Sequence, residues 1–199
     1  MEKQSHIVIA RFVSGYVERQ YGIRLSRKSF ILGNILPDLM PSFLYRPHFW
    51  QYNRTYVQQI IQSLREKSKS ACSGMMQSLF MGMLCHLYTD FFCYAHSERF
   101  SGGLKCHIRY EKQLNSFLKE HLTEIAATCF AVRSESGLDT ASILGRFQAL
   151  QVSYYKIPPS PESDLFYSIL SCVEAIVLIS ESAETSPAQE ELAFLQAAL

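Results

Sequence analysis

The 199-residue chain lacks the features that mark fibrous, disordered or nucleic-acid-binding proteins. It has only 9 glycines and 7 prolines, too few for a collagen-like or linker-dominated sequence. The formal net charge is +1, and without a basic run the chain is poorly suited to binding long nucleic acids through bulk electrostatics. With 48% hydrophobic and 19% charged residues, the composition is that of a globular protein. We therefore predict one domain over residues 1–199, long enough to bury a core without a disulfide or structural metal.

Long apolar runs and paired cysteines are also missing. No window reaches the roughly 18 apolar residues of a membrane span, and the nearest, 75–95, contains His86 and Asp90. His6 and Arg11 interrupt the first apolar stretch, so no secretory signal is predicted. The six cysteines are scattered singly, without a CxxC pair, and we interpret them as free thiols, mostly buried. These features predict a cytoplasmic protein.

Apolar residues recur at helical spacing almost throughout, and no alternating strand pattern stands out. The sequence therefore predicts an all-α bundle of about seven or eight helices. The first predicted helix carries an apolar stripe at 7–17, and the second is short, begun by Ser26 and ended by Pro37. The further predicted helices are 50–69, 73–96, 104–132, 141–155, 161–180 and 189–199.

The clearest chemical signal is the placement of histidines beside carboxylates. His86 and Asp90 are four residues apart, as are His107 and Glu111, so each pair lies on one face of a helix. An imidazole and a carboxylate at this spacing can hold one cation. Two such pairs on consecutive helices can meet, and helical bundles build dinuclear sites in this way.

Four further residues are candidates to complete the site. In a regular helix His96 lies about 280° around the axis from His86, so we predict that it serves a second ion. Asp38 and His48 lie in the Pro-containing segment after the second helix and can close the set, and His6 lies beside an apolar run of the first helix.

A non-metal interpretation exists for each of these residues. A single His or Asp in an apolar helix is usually a hydrogen-bonded core residue, and an i, i+4 pair is more often on the surface. Asp90 fits this interpretation poorly, because a buried carboxylate beside Leu87 and Phe91 costs several kcal/mol without a cation or full hydrogen bonding. A donor set of His and carboxylate favours zinc, with manganese or iron as alternatives. Cys85 and Cys106, which precede two of the histidines, are interpreted as packing residues.

Two spacings, His86-x3-Asp90-x5-His96 and His107-x3-Glu111, resemble those of the zinc-dependent phospholipase C family. The secreted members of this family include phosphatidylcholine-hydrolysing enzymes and alpha-toxin-type toxins, and a family of single-strand nucleases has a related all-α fold with three zinc ions. An early His, an Asp in a turn and a following His precede these motifs in the family, and the corresponding residues here are His6, Asp38 and His48. The resemblance covers His6 to Glu111.

The resemblance implies a site for two or three zinc ions within residues 6–111, with 112–199 as a helical scaffold. The first ion would be held by Asp38, His48, His86 and Asp90. The second would be held by His96, His107 and Glu111. Asp90 would also bridge to a third ion, bound by His6 and the N-terminus of the chain.

The implied function is hydrolysis of a phosphoester by a zinc-bound water, as in a phospholipase C-like phosphodiesterase. We predict that Asp38 orients or deprotonates the attacking water. The substrate would be a small phosphoester or a phospholipid head group, with peripheral membrane contact left open. Aromatic residues that suit a lipid tail, a base or a choline-like cation are predicted to line the pocket: Phe43, Tyr45, Phe49, Trp50 and Tyr52.

Two alternatives remain open at this stage. One is a nuclease or nucleotide phosphohydrolase of the same fold, which the near-neutral charge disfavours for long polynucleotides. The other is a non-catalytic protein that keeps the metal site; a fully protein-ligated, closed site would favour it. An HD-type phosphohydrolase is disfavoured because the sequence contains no His-Asp dipeptide.

Overall fold

The computed structural model describes residues 1–40, 48–68, 74–128, 130, 132 and 138–184. All regular elements in these segments are helical, which confirms the predicted all-α class. The α-helices are α1 (Lys3–Tyr21), α2 (Arg27–Ile35), α3 (Trp50–Ser68), α4 (Gly74–Phe91), α5 (Leu104–Ala127), α6 (Thr140–Tyr155) and α7 (Pro161–Glu184). Two short 3-10 turns cover Pro37–Leu39 and Tyr94–His96.

Local sequence signals account for several helix ends. Helix α1 ends at Tyr21 and is capped by Gly22, whose φ of 69° lies in the left-handed region that glycine adopts without strain. Pro37 follows α2 and opens the first 3-10 turn. Helix α6 is capped by Asp139, whose carboxylate accepts a hydrogen bond from the Ser142 amide at 2.8 Å. Pro161 is the first residue of α7, where a proline sacrifices no helical hydrogen bond.

Two predicted helix ends are wrong. Helix α4 ends at Phe91, five residues before the predicted His96, and the chain then enters the separate turn Tyr94–His96. Helix α5 ends at Ala127 and does not continue to Val132. The predicted closing helix at 189–199 lies outside the described residues, as do Phe43, Tyr45, Cys72 and Cys129.

The prediction of buried, unpaired thiols is mostly confirmed. Cys85, Cys93 and Cys172 are free and buried. Cys106 is free but exposed, so its interpretation as a packing residue is wrong. It lies in the first turn of α5, on a face that the bundle leaves open to solvent.

Helix α7 is the centre of the bundle. It packs against α1, α3, α4, α5 and α6, and its side chains between Leu165 and Ile179 are largely inaccessible to solvent. By length and composition the stretch Pro161–Ser180 could also cross a membrane, in contrast to the prediction that no segment would. However, 72% of the apolar window is buried inside the bundle, as in the core helix of a globular protein.

Helices α2 and α4 approach each other closely at two glycines. A Cβ atom on Gly33 would lie 2.1 Å from the carbonyl oxygen of Leu79, and one on Gly82 would lie 2.2 Å from that of Phe30. Both distances are far below van der Waals contact, so only glycine allows this separation. The crossing brings the end of α2, and the turn that follows it, against the last turns of α4.

Candidate metal centre

The first cluster of potential ligands combines four residues from three parts of the chain. Its members are Asp38 in the first 3-10 turn, His48 just before α3, and His86 and Asp90 on α4. Their ligand atoms all lie within 4.8 Å of one another. His48 Nδ1 is 2.6 Å from Asp90 Oδ2, and His86 Nε2 is 3.4 Å from Asp90 Oδ2 and 3.5 Å from Asp38 Oδ1. Asp90 is therefore the central carboxylate.

The second cluster consists of His96, His107 and Glu111. Glu111 Oε1 lies 2.9 Å from His96 Nε2 and 3.1 Å from His107 Nε2. His96 reaches this position because α4 stops at Phe91 and the turn Tyr94–His96 redirects the chain. The two clusters are neighbours, since His96 Nδ1 is 3.8 Å from Asp90 Oδ2.

His6 and the N-terminus lie on the other side of Asp90. His6 Nε2 is 3.3 Å from Asp90 Oδ1, and the His6 ring stacks on that of His86 at 4.0 Å. The α-amino nitrogen of Met1 is buried 2.7 Å from Asp90 Oδ1 and 2.9 Å from Glu111 Oε1. It also lies 2.9 Å from His96 Nε2, so this amine joins the two clusters. All eight residues identified in the sequence therefore lie together.

The hydrogen bonds of two histidines show which ring nitrogen carries the proton. His86 Nδ1 donates to the backbone oxygen of Asn34 at 2.8 Å, because a carbonyl can only accept. Thr89 donates its hydroxyl proton to the His86 carbonyl at 2.7 Å, so it accepts from His6 Nδ1 at 3.0 Å. In the neutral rings, both Nε2 atoms therefore present lone pairs.

These lone pairs face Asp90 and provide the test of whether the residues fit a cation. The Nε2 atoms of His6 and His86 are buried and find no hydrogen-bond partner among the described residues. Each lies 3.3 to 3.4 Å from an oxygen of Asp90, so lone pairs and a carboxylate are held together without a proton between them. A bound cation removes this repulsion, and the orienting bonds to Nδ1 are typical of metal-binding histidines. The donor set of imidazole and carboxylate suits zinc.

The charged groups of the two clusters shift one another's pKa values. Burial lowers the pKa of the Met1 α-amino group, but the carboxylates of Asp90 and Glu111 outweigh it and raise that pKa to about 11. Burial raises the pKa of Asp90, but the Met1 ammonium and surrounding histidines hold it well below its usual range. Burial and the neighbouring His6 keep the pKa of His86 well below that of a free imidazole. The ammonium thus supplies positive charge to the carboxylates.

A cleft of about 180 Å³ opens beside His96. Its walls include Phe49, Trp50, Phe91 and Tyr155. Phe49 and Trp50, two of the predicted pocket residues, line this cleft. Trp50 also packs on Phe147 in the core, with ring centroids 4.8 Å apart. Tyr52 is 56% exposed and does not line this cleft, so its prediction as a pocket residue is not supported by its position.

Sequence reasoning missed the residues that orient the histidines. The acceptor at Asn34 is a backbone carbonyl, and no side-chain pattern can reveal it. Thr89 carried a weak signal, because it lies three residues after His86 on an apolar helix, where a hydroxyl needs a partner. The Met1 amine was anticipated only through the family resemblance.

Comparison with known proteins places the chain in a family. A family model described as zinc dependent phospholipase C matches residues 5–157. No curated protein and no solved structure shows significant similarity to the chain. The family match covers well over half of the sequence and includes every residue from His6 to Glu111 discussed above. The chain therefore belongs to the zinc-dependent phospholipase C family.

Proposed function

We propose that the protein is a zinc-dependent hydrolase that cleaves a phosphodiester of the phospholipase C type. Family membership and the His/Asp clusters support a metal-dependent, phospholipase-like hydrolase. The observation that carries the proposal is the arrangement around Asp90, where the lone pairs of His6 and His86 converge on one buried carboxylate beside a second ligand cluster. Such neighbouring cation sites suit phosphoester chemistry.

The proposed zinc ligands follow the two clusters. One ion would be held by Asp38, His48, His86 and Asp90, and a second by His96, His107 and Glu111. A third would be held by His6 and the Met1 amine, together with Asp90. Binding at the third position requires the ammonium to lose its proton, so zinc uptake there competes with protons.

Bound zinc supplies Lewis-acid chemistry, because it lowers the pKa of water and offsets negative charge developing on a phosphoryl group. We assign Asp38 as the residue that orients or deprotonates the attacking water. The Asp38 side chain is 28% exposed, whereas that of Asp90 is 1% exposed, so Asp38 can reach a water at the edge of the cluster. Burial, followed by repulsion from Asp90, raises the pKa of Asp38 above its usual value, which favours proton acceptance.

The proposed substrate is a phospholipid-type phosphodiester, as the family suggests. The cleft beside His96 supports this, because Phe49, Trp50 and Tyr155 present aromatic surface next to polar ligands. Such walls can contact an apolar group or a cationic head group. A nucleotide phosphodiester is the competing substrate, and a substrate panel separates the two.

The first experiment measures zinc per chain by elemental analysis and hydrolysis of a short-chain phosphatidylcholine, a chromogenic phosphodiester and a dinucleotide. The wild-type protein should hold two or three zinc ions and prefer the phosphatidylcholine. Asp90→Asn should lose zinc and at least about 100-fold in activity, because the shared carboxylate is removed. Asp139→Asn is the control, because it makes the same carboxylate-to-amide change at the exposed cap of α6. Its zinc content and activity should equal those of the wild type.

Absence of zinc in the wild type, even after zinc is supplied, would contradict the proposed hydrolase. Zinc binding without hydrolysis of any member of the panel would favour the non-catalytic alternative. Preference for the dinucleotide would replace the phospholipase assignment with that of a nuclease.

A further inference from the structure

Asp164 is a buried carboxylate outside the proposed ligand set. It lies in the first turn of α7, beyond the residues 5–157 that match the family model. Its side chain is inaccessible to solvent and accepts three hydrogen bonds at 2.7 to 2.8 Å, all from other elements of the fold. A carboxylate in the first turn of a helix stabilises that helix through the helix dipole. This role does not explain why all three hydrogen-bond donors of Asp164 come from other elements.

The two oxygens of Asp164 have different partners. Oδ2 accepts from the Tyr94 amide at 2.7 Å and from the Tyr110 hydroxyl at 2.8 Å. Oδ1 accepts from the Tyr154 hydroxyl at 2.8 Å. One oxygen therefore serves the elements around the metal centre, and the other serves α6, which carries no proposed ligand.

Both partners of Oδ2 are adjacent to the second cluster. Tyr94 opens the 3-10 turn that carries His96, and Tyr110 directly precedes Glu111 on α5. The rings of Tyr94 and Tyr110 are also in edge contact, with centroids 5.4 Å apart. A single oxygen atom thus joins the turn that supplies one ligand to the helix that supplies the other two.

The environment allows this carboxylate to act as an anion. Burial raises its pKa to about 6, against the effect of the hydrogen bonds from Tyr94, Tyr154 and Tyr110. It is therefore ionised at neutral pH, and hydrogen bonds to a charged acceptor are stronger than those to a neutral one. Arg99 provides nearby positive charge, with its guanidinium carbon 4.7 Å from the centre of the Tyr154 ring.

We infer that Asp164 is a positioning residue for the second zinc site: it fixes the His96 turn against the helix of His107 and Glu111. The expected effect on zinc affinity rests on the proposed function, because it assumes that the second cluster binds zinc. The inference also concerns the metal-free protein, because the same hydrogen bonds order the turn before any ion binds. Partners that orient metal ligands typically contribute 10- to 100-fold to affinity.

The test compares zinc affinities by chelator competition in Asp164→Asn, Tyr110→Phe and Tyr154→Phe. Glu111→Gln identifies which of the bound ions belongs to the second cluster. Asp164→Asn should lower the affinity for the ion of the second cluster about 10- to 100-fold. The affinity for the ion of the first cluster should stay within about 2-fold of the wild-type value. Tyr110→Phe should lower the zinc affinity of the second cluster about 10-fold.

Tyr154→Phe is the matched control, because it removes one phenol hydroxyl from the same carboxylate on the side facing α6. It should leave the affinity of the second site unchanged. A purely structural Asp164 would give equal affinities in Tyr110→Phe and Tyr154→Phe, and that result would overturn the inference.

Amide hydrogen exchange in the metal-free proteins gives a readout that does not depend on zinc. Exchange at His96 and Ser97, whose amides donate to the carbonyls of Cys93 and Tyr94, should be about 10-fold faster in Asp164→Asn than in Tyr154→Phe, after correction for global stability. If the wild type binds no zinc but shows this difference, the proposed function fails and the positioning role stands. Unchanged exchange in Asp164→Asn would overturn the positioning role in either case.

Discussion

The α-amino nitrogen of Met1 lies 2.7 Å from Oδ1 of Asp90, although 89 residues separate them in sequence. The same nitrogen contacts His96 and Glu111 of the second cluster. Both the amine and Asp90 are buried, so their charges are poorly screened by solvent. The Met1 amine therefore lies within the candidate metal centre, and changes to it should affect both folding and zinc binding.

Adding Gly-Ser before Met1 should destabilise the metal-free protein and lower its zinc content. The extension replaces the buried ammonium with an amide and leaves Asp90 without its nearest cation, and breaking a buried ion pair costs about 3–5 kcal/mol. Urea unfolding and elemental analysis measure the two effects. The same dipeptide added after Leu199 is the control. Equal stability and zinc content in the two extended proteins would show that the amine has no role.

The acid stability of the metal-free protein should depend on Glu111. Burial raises the pKa of this carboxyl, but the hydrogen bond from His96 and the Met1 ammonium outweigh it and lower the pKa to about 2. In the unfolded chain Glu111 takes up its proton near pH 4.5. Its contribution to stability is therefore full above about pH 5 and is lost as the pH falls from about 4.5 to 2.

Urea unfolding in the presence of a chelator, between pH 2.5 and 7, tests this contribution. Glu111→Gln should be less stable at neutral pH and should lose less free energy of unfolding on acidification than the wild type. Glu120→Gln, at an exposed position on the same helix, is the control and should follow the wild-type curve. A Glu111→Gln curve parallel to that of the wild type would rule out the ion pair.

The crossing of α2 and α4 should not tolerate a side chain at Gly33. An alanine Cβ there would lie 2.1 Å from the carbonyl oxygen of Leu79, so the helices must separate, at a cost of about 3 kcal/mol or more. Separation would also disturb the bond from His86 to the Asn34 carbonyl, so zinc affinity should fall as well. Thermal or urea unfolding, together with chelator competition, measures both effects.

Gly145→Ala is the matched control for Gly33→Ala. Gly145 lies in the interior of α6, and an added Cβ would meet no atom within 4 Å. This change should stabilise the protein by about 0.5–1 kcal/mol, because alanine is the better helix former. Equal stability of the two alanine variants would contradict the claim that α2 and α4 are too close at Gly33 to admit a side chain.

The sequence predicted the helical class and the residues of the centre better than it predicted their geometry. Spacing on α4 and α5 correctly placed His86 with Asp90 and His107 with Glu111, because i, i+4 neighbours share a face of any α-helix. The end of α4 was missed, because the apolar pattern continues past Phe91 and local periodicity cannot reveal that the chain turns there. That error mattered for His96, whose position depends on the turn.

The amino-acid sequence alone was enough to predict an all-α chain, with histidines and carboxylates at ligand spacing and motifs that resemble those of one hydrolase family. Zinc ligation by particular residues, the catalytic role of Asp38 and the location in the cell remain predictions. The three-dimensional fold was needed to show which nitrogen of His6 and His86 faces Asp90, that the Met1 amine contacts this carboxylate, and that Asp164 bonds to residues next to the second cluster. These features depend on backbone carbonyls, a terminal amine and contacts between distant helices, and such long-range placement follows from packing and leaves no periodic signal in the sequence.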